Sequence, residues 1–344
     1  MLKTGRLDHG GIMVNYSCPA ACRHCLYSCS PSRRPGYMGR EQAAEVCRLL
    51  RGSGCRSVHI GGGEPFLNFE GLLAVLRELN KAGIHVEYIE TNGFWAGCDS
   101  MQRKNAGVDE GPASAGEESP RDKLKRLIAE GGSTLCISVD PFHAEYIPYA
   151  APLRLTRLCE ETGMDYFLWK QQFLQELSRL DPARSHSRSE MEAVLARSYL
   201  ADTARKYGIR MGGRAVNIEE ECLPARPVKE LLDAVPCRGL LSTNHFHIDM
   251  DGFFIPPGCT GLRIPLAELV EGALPGKYPV FEALYQGGTD ALFNLAAGRG
   301  FIPKAAGYPS KCNFCFYARH FLAGPDNHLN ELDQNHYEEA LMYR

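Results

Sequence analysis

Strand-like and helix-like segments alternate through the first two thirds of the chain, and that alternation restricts the fold more than any other feature. Short apolar segments suited to strands occur at 11–17 (GIMVNYS), 57–61 (SVHIG), 84–90 (IHVEYIE), 134–140 (TLCISVD), 164–169 (MDYFLW) and 209–218 (IRMGGRAVNI). Between them, 40–54, 68–83, 121–131 and 151–162 carry apolar residues at helical spacing, and a further helix ends near residue 207. Strands that alternate with helices predict a parallel sheet. Six such units are fewer than the eight of a closed barrel. The expected fold class is therefore α/β: a partial (β/α)6 TIM-like barrel, followed by a small α+β domain. Residues 96–120 read as a long loop or insertion. From about residue 225 Pro and Gly become frequent, and HFHIDMDGFFIP reads as a hairpin turning at Asp251-Gly252. The expected division is 1–224 for the barrel and 225–344 for a second, smaller unit.

Composition matters for what it removes. A formal net charge of -3 gives no reason to expect nucleic acid as a partner. No apolar run approaches the ~20 residues of a membrane helix, and the N-terminus lacks the apolar stretch of a secretory signal. The expected location is the cytoplasm. In that setting fourteen cysteines are not a disulfide framework. Metal ligation explains the clustered ones, and core filling explains scattered ones such as Cys47, Cys136 and Cys159.

The tightest cluster is SCPAACRHC (17–25), with Cys18, Cys22 and Cys25 in a C-x3-C-x2-C pattern and Cys29 close behind. Clustered thiolates suit zinc or an iron–sulfur cluster. Cys29 could complete a zinc site. Three thiolates on a [4Fe–4S] cube would instead leave one iron open to another molecule. GGGEP (61–65) follows the second strand, and its glycines let backbone approach a ligand closely. ETNG (90–93) ends the third strand, SVDPFH (138–143) ends the fourth, and MGGRA (211–215) lies on the sixth unit. All fall at the C-terminal ends of predicted parallel strands, where barrel active sites assemble.

Together these motifs resemble the radical S-adenosylmethionine (radical SAM) superfamily. The resemblance implies a [4Fe–4S] cluster on Cys18, Cys22 and Cys25, with S-adenosylmethionine on the open iron. It implies cofactor contacts from His24, near the adenine, from Gly62, Gly63, Glu64 and Pro65, with the methionine ammonium on Glu64, and from Thr91, Asn92, Ser138, Asp140, Gly213 and Arg214. Cys29 then becomes a bystander. Cys237, Cys259 and the couple Cys312 and Cys315 resemble the twitch or truncated-SPASM type of auxiliary domain, which implies a second [4Fe–4S] cluster; zinc on the same four thiolates stays open.

The implied activity is reductive cleavage of S-adenosylmethionine to a 5′-deoxyadenosyl radical that takes hydrogen from an unactivated C–H bond. The implied outcome is oxidative modification of a peptide, as in maturases of ribosomally made peptides, or of a small molecule. A low-potential donor such as flavodoxin or ferredoxin is the implied partner. With the first strand near residue 11, no N-terminal leader-recognition domain is expected, and no cobalamin domain precedes the barrel. His143, Glu145 and Tyr146, with Tyr149, are the substrate-side candidates, and Cys98 is a less favoured one. The rival reading is a non-enzymatic iron–sulfur or zinc-binding protein. The sequence leaves the substrate and the oligomeric state open.

Overall fold

The computed structural model describes residues 2–97, 118–196, 198–210, 212–327 and 329–343. Cys98 and most of the 96–120 segment lie outside the described residues.

The strands are β1 (His9–Met13), β2 (Ser57–Gly61), β3 (His85–Thr91), β4 (Thr134–Ser138), β5 (Asp165–Trp169), β6 (Asn244–Ile248), β7 (Phe253–Ile255) and β8 (Ile264–Pro265). They form one sheet in the order β5-β4-β3-β2-β1-β6-β7-β8. The first six strands run parallel, and β7 and β8 are antiparallel additions. The crossovers include the helices α1 (Arg40–Gly52), α2 (Phe69–Ala82), α3 (Pro120–Ala129) and α4 (Ala150–Thr162). This is the mixed α/β fold with a parallel core expected of a partial barrel. The end of α2 follows the sequence signal: Asn68 accepts from the Gly71 N–H at 2.9 Å, and Gly83 closes the helix with φ +65°.

Alternation along each strand splits the sheet into two faces. Ile12, Ile60, Ile89 and Leu135 lie in register across β1 to β4 and are buried in one core with Val46 and Leu50 of α1 and Leu72 and Leu76 of α2. The other face carries Gly11, His59, Tyr88, Glu90, Cys136, Ser138, Trp169, His245 and His247, most of which line an internal cavity.

Among the described residues of 209–218 the expected sixth strand does not form. Ala215–Cys222 is instead a helix, α5. Gly213 adopts φ +54°, and a Cβ there would lie 2.4 Å from the Cys25 carbonyl oxygen and 2.3 Å from that of Leu26. The Arg214 N–H donates to the Cys25 carbonyl at 3.1 Å. The segment is thus docked on the cysteine loop rather than on β5, which has no outer neighbour in the sheet among the described residues. The sixth parallel strand comes from residues 244–248 and pairs with β1 on the opposite side. The segment beyond 225 therefore begins by extending the barrel's own sheet. It continues with helices α6 (Pro279–Ala297), α7 (Lys311–Ala323) and α8 (Gln334–Met342). No helix among the described residues is long and apolar enough to cross a membrane.

Candidate active site

The cysteine loop follows β1 and is fixed from two sides. On one side, the glycine loop after β2 lies along residues 15–17. The Gly63 N–H donates to the Asn15 carbonyl at 3.0 Å, the Glu64 N–H donates to the Ser17 carbonyl at 2.9 Å, and Asn15 Nδ2 donates to the Glu64 carbonyl at 3.0 Å. Gly63 has no substitute here, since a Cβ would fall 2.0 Å from the Ser17 carbonyl oxygen. On the other side, Arg214 is fully buried and donates through Nε to the Cys22 carbonyl at 2.8 Å and through Nη2 to the Cys29 carbonyl. The loop's two neighbours come from sequence positions roughly 45 and 190 residues downstream, which the sheet brings together.

These contacts place Cys18, Cys22 and Cys25 on the wall of a cavity of about 360 Å³. His24, Gly62, Gly63, Thr91, Asn92, Ser138, His143 and Arg214 also line it. Asn92 Nδ2 points at the Cys18 sulfur from 3.6 Å, and the Cys29 N–H donates to the Cys25 sulfur at 3.3 Å. Burial pushes the Cys18 and Cys22 thiols up, as isolated thiols in a dry wall should behave. Cys25 moves the other way: the hydrogen bond from Cys29 and the Arg214 guanidinium favour its thiolate over the opposing effect of burial.

Four of the residues expected to touch a cofactor stand behind this wall instead. Glu64 is fully buried and accepts hydrogen bonds from the Thr91 hydroxyl at 2.9 Å, the Asn92 N–H at 2.8 Å and the Phe66 N–H at 3.1 Å. Burial pushes its carboxyl up to about 7 despite those bonds. Its visible work is to tie the end of β3 to the glycine loop. Pro65 starts the short turn Pro65–Asn68, and its carbonyl accepts from the Tyr37 hydroxyl at 3.1 Å. Gly213 makes the tight turn against the cysteine loop. Asp140 caps the turn Pro141–Ala144, accepting from the Phe142 N–H at 2.9 Å and the His143 N–H at 3.0 Å.

Asp140 also faces His143, with Oδ2 2.7 Å from Nδ1. Burial opposes charge on both, but their mutual attraction outweighs it. It holds the carboxyl at about 2 and the imidazole well above its ordinary range, with the Cys22 sulfur helping the latter. His24 stacks on Phe142 with centroids 4.8 Å apart. His24, Asp140 and His143 are close enough for all their ligand atoms to lie within 4.8 Å of one another. Glu145 and Tyr146 do not line the cavity. Glu145 pairs with Arg23 at 3.0 Å and accepts from the Tyr199 hydroxyl at 3.3 Å. The Tyr149 hydroxyl donates to the Leu180 carbonyl.

At and behind the cavity wall lie histidines that no motif pointed to. His59 and His247 meet with Nε2 atoms 3.0 Å apart, and His59 stacks on Tyr88 at 4.9 Å. Gly11 makes room for them: a Cβ there would sit 2.4 Å from His59 Nε2 and 2.5 Å from His247 Cδ2. His245 is the extra residue of a β-bulge opposite His9 and Gly10, in the left-handed region at φ +58°. Glu90, pushed up to about 7 by burial and the Cys25 sulfur, lines the same cavity. The period-two pattern H-x-H at 245–247 was the available signal. Trp169, on β5, also lines the cavity and is 40% exposed.

The second cysteine set is assembled from three places. Cys237 precedes the turn Arg238–Leu241, Cys259 follows Gly258 at the end of the hairpin, and Cys312 and Cys315 occupy the first turns of α7 behind the Ser310 cap. Each thiol is pushed up by burial first, and each feels at least one other thiol of the set. All four feel the Arg319 guanidinium.

Residues 12–158 match the family model described as the Radical SAM superfamily. No curated protein matches the chain. Among solved structures, SuiB of Streptococcus suis is similar at 13% identity and a TM-score of 0.36, over 82% of this chain and 68% of that one. The structure titled native anSMEcpe with bound AdoMet is similar at 15% identity and a TM-score of 0.42, over 98% of this chain and 100% of that one. The same protein with AdoMet and the Cp18Cys peptide gives 15% and 0.41, over 98% and 99%.

Proposed function

We propose that the whole chain, beyond the Radical SAM domain of residues 12–158, is a radical S-adenosylmethionine enzyme with an auxiliary cluster, acting on a peptide or small molecule. One observation carries this reading. A single cavity at the C-terminal ends of parallel strands gathers Cys18, Cys22 and Cys25 with Gly62, Gly63, Thr91, Asn92 and Ser138. Three thiols beside bare glycine backbone suit a cluster with one open iron and a cofactor that needs close main-chain approach.

Cys18, Cys22 and Cys25 would hold the [4Fe–4S] cluster, and the lining residues Gly62, Gly63, Thr91, Asn92, Ser138, His24 and Arg214 would hold S-adenosylmethionine. When bound, the pair supplies a 5′-deoxyadenosyl radical able to take hydrogen from an unactivated C–H bond. The chain's own contribution is geometric and electrostatic. Arg214 and Asn15 fix the thiol loop, and the Glu64 carboxylate ties the glycine loop to the end of β3. His143, oriented by Asp140 at 2.7 Å, would be the group that moves a proton at the cavity wall. His247, Tyr88 and Trp169 offer the substrate a lining of hydrogen-bonding and aromatic groups, with His59 behind His247.

Cys237, Cys259, Cys312 and Cys315 would hold the second cluster, in an auxiliary unit of residues 225–344 built onto the β1 edge. Four thiolates close that cluster to ligands, which suits electron transfer and an oxidative outcome. Zinc on the same four thiolates is the alternative metal, and metal analysis of the reconstituted protein separates the two. A low-potential flavodoxin or ferredoxin is the donor that such chemistry needs.

The test is anaerobic reconstitution with iron and sulfide, reduction, and addition of S-adenosylmethionine. Wild-type protein is expected to bind about eight irons per chain and to release 5′-deoxyadenosine. The Cys18→Ala/Cys22→Ala/Cys25→Ala variant is expected to keep about four irons and release none. Reconstituted, reduced wild type that makes no 5′-deoxyadenosine would leave a non-enzymatic metal protein as the answer.

A further inference from the structure

The second thiol set has a buried cation at its back. Cys312, Cys315 and Arg319 occur at i, i+3 and i+7 of α7, one face of the helix. Arg319 is 5% exposed. Its Nη1 donates to the carbonyl of Thr260, the residue after Cys259, at 2.9 Å. Its guanidinium lies over the Tyr337 ring, 5.6 Å from the centroid. Its Nε is buried with no hydrogen-bond partner. No carboxylate pairs with it among the described residues, although Arg33, equally buried, has Asp333 at 3.0 Å. Lys311 is also near Cys237 and Cys312, but it is half exposed and tied to Asp233 at 3.1 Å.

A guanidinium removed from water is costly without a counter-anion, so an anionic group beside it is favoured. The negative charge available is on the sulfurs. The cysteine loop of the first site is backed in the same manner. Arg214 is fully buried, has no carboxylate partner among the described residues, leaves Nη1 unpartnered and lies 5.4 Å from the Tyr343 ring centroid.

We propose that Arg319 is a positioning residue that sets the reduction potential of the auxiliary cluster, holding it higher than four thiolates alone would. This rests on the reading that Cys237, Cys259, Cys312 and Cys315 carry such a cluster. A cluster with four thiolates is an anion, and one-electron reduction adds a further negative charge without making or breaking a bond. A fixed cation in a dry site stabilises the reduced form more than the oxidised form, because attraction grows with the charge. The potential therefore rises, and the cluster becomes a better acceptor for an electron leaving a substrate radical.

The experiment uses the full chain carrying Cys18→Ala/Cys22→Ala/Cys25→Ala, so that only the auxiliary cluster contributes, titrated with dithionite and followed by electron paramagnetic resonance. Arg319→Met is expected to lower the midpoint potential at unchanged iron content, while Arg319→Lys, which keeps the charge, stays nearer the parent. An unchanged or raised potential in Arg319→Met overturns the proposal, as does a fall in Arg319→Lys as large as in Arg319→Met. If Arg319→Met fails to load iron, the neutral Arg319→Gln takes its place with the same two outcomes. A parent that binds no iron refutes the auxiliary-cluster reading itself, a result distinct from a potential that does not move.

Discussion

At the scale of single residues, sequence spacing reveals ligands and hides their supports. Cys18, Cys22 and Cys25 and the glycines at 62 and 63 are legible because their chemistry is local to a few consecutive positions. Asn15 and Arg319 are not, because their roles depend on partners that only the fold supplies. The clearest case is the His59–His247 contact, which joins residues 188 positions apart. Each histidine alone is an ordinary strand residue. Beside the H-x-H pattern, the glycine opposite them at position 11, within a strand, is a second hint that something bulky needs the space. Their titration has a defined sign. Burial, then the neighbouring His245 and His9, push His59 down to about 3, and His247 lies well below its ordinary value for the same kind of reason. A folded-state value below the unfolded one of about 6.5 means that this stability is present above pH 6.5 and is lost as pH falls towards 3. Urea unfolding at pH 7.5 and pH 5.0 is expected to show the wild type losing on the order of a few kcal/mol. His59→Gln is expected to lose less between the same two pH values, and an equal loss in both would mean that the pair does not titrate this way.

At the scale of elements, strands β1 to β5 and helices α1 to α4 fall within a few residues of their sequence signals, because the apolar period is clear there. The prediction that failed, the strand at 209–218, had apolar residues at both ends but a Gly-Gly-Arg in its middle that the cysteine loop captures. The hairpin prediction held, and Asp249 explains why. Its carboxylate accepts from the Asp251 N–H at 3.0 Å and the Phe253 N–H at 2.9 Å, shaping the turn in which Gly252 takes φ +85°. Its other oxygen accepts from the Tyr16 hydroxyl at 3.0 Å, just before the cysteine loop. Asp249→Ala leaves these donors without partners in a buried setting. It is expected to cost roughly 2–3 kcal/mol, read as a lower melting temperature. A loss below about 0.5 kcal/mol would mean that the turn holds by its backbone alone.

At the scale of the whole molecule, the parallel sheet was legible but its closure was not. Alternating segments state that strands are parallel; they do not state which strand takes the outer place beside β1. Residues 244–248 take it, after about 230 intervening residues. The two parts therefore share a sheet, and residues 1–224 expressed alone are expected to lack the cooperative thermal transition of the full chain. A sharp transition in that fragment, matched by circular dichroism and fluorescence, would show that the first part is autonomous. The same pairing sets a clock during synthesis. At about 5–20 residues per second, β1 leaves the ribosome roughly 10–50 s before its outer partner exists. Throughout that interval one flank of the nascent sheet offers unsatisfied N–H and C=O groups to any other strand it meets. Yield in the cell should thus depend on translation speed and on chaperones that shield an open strand.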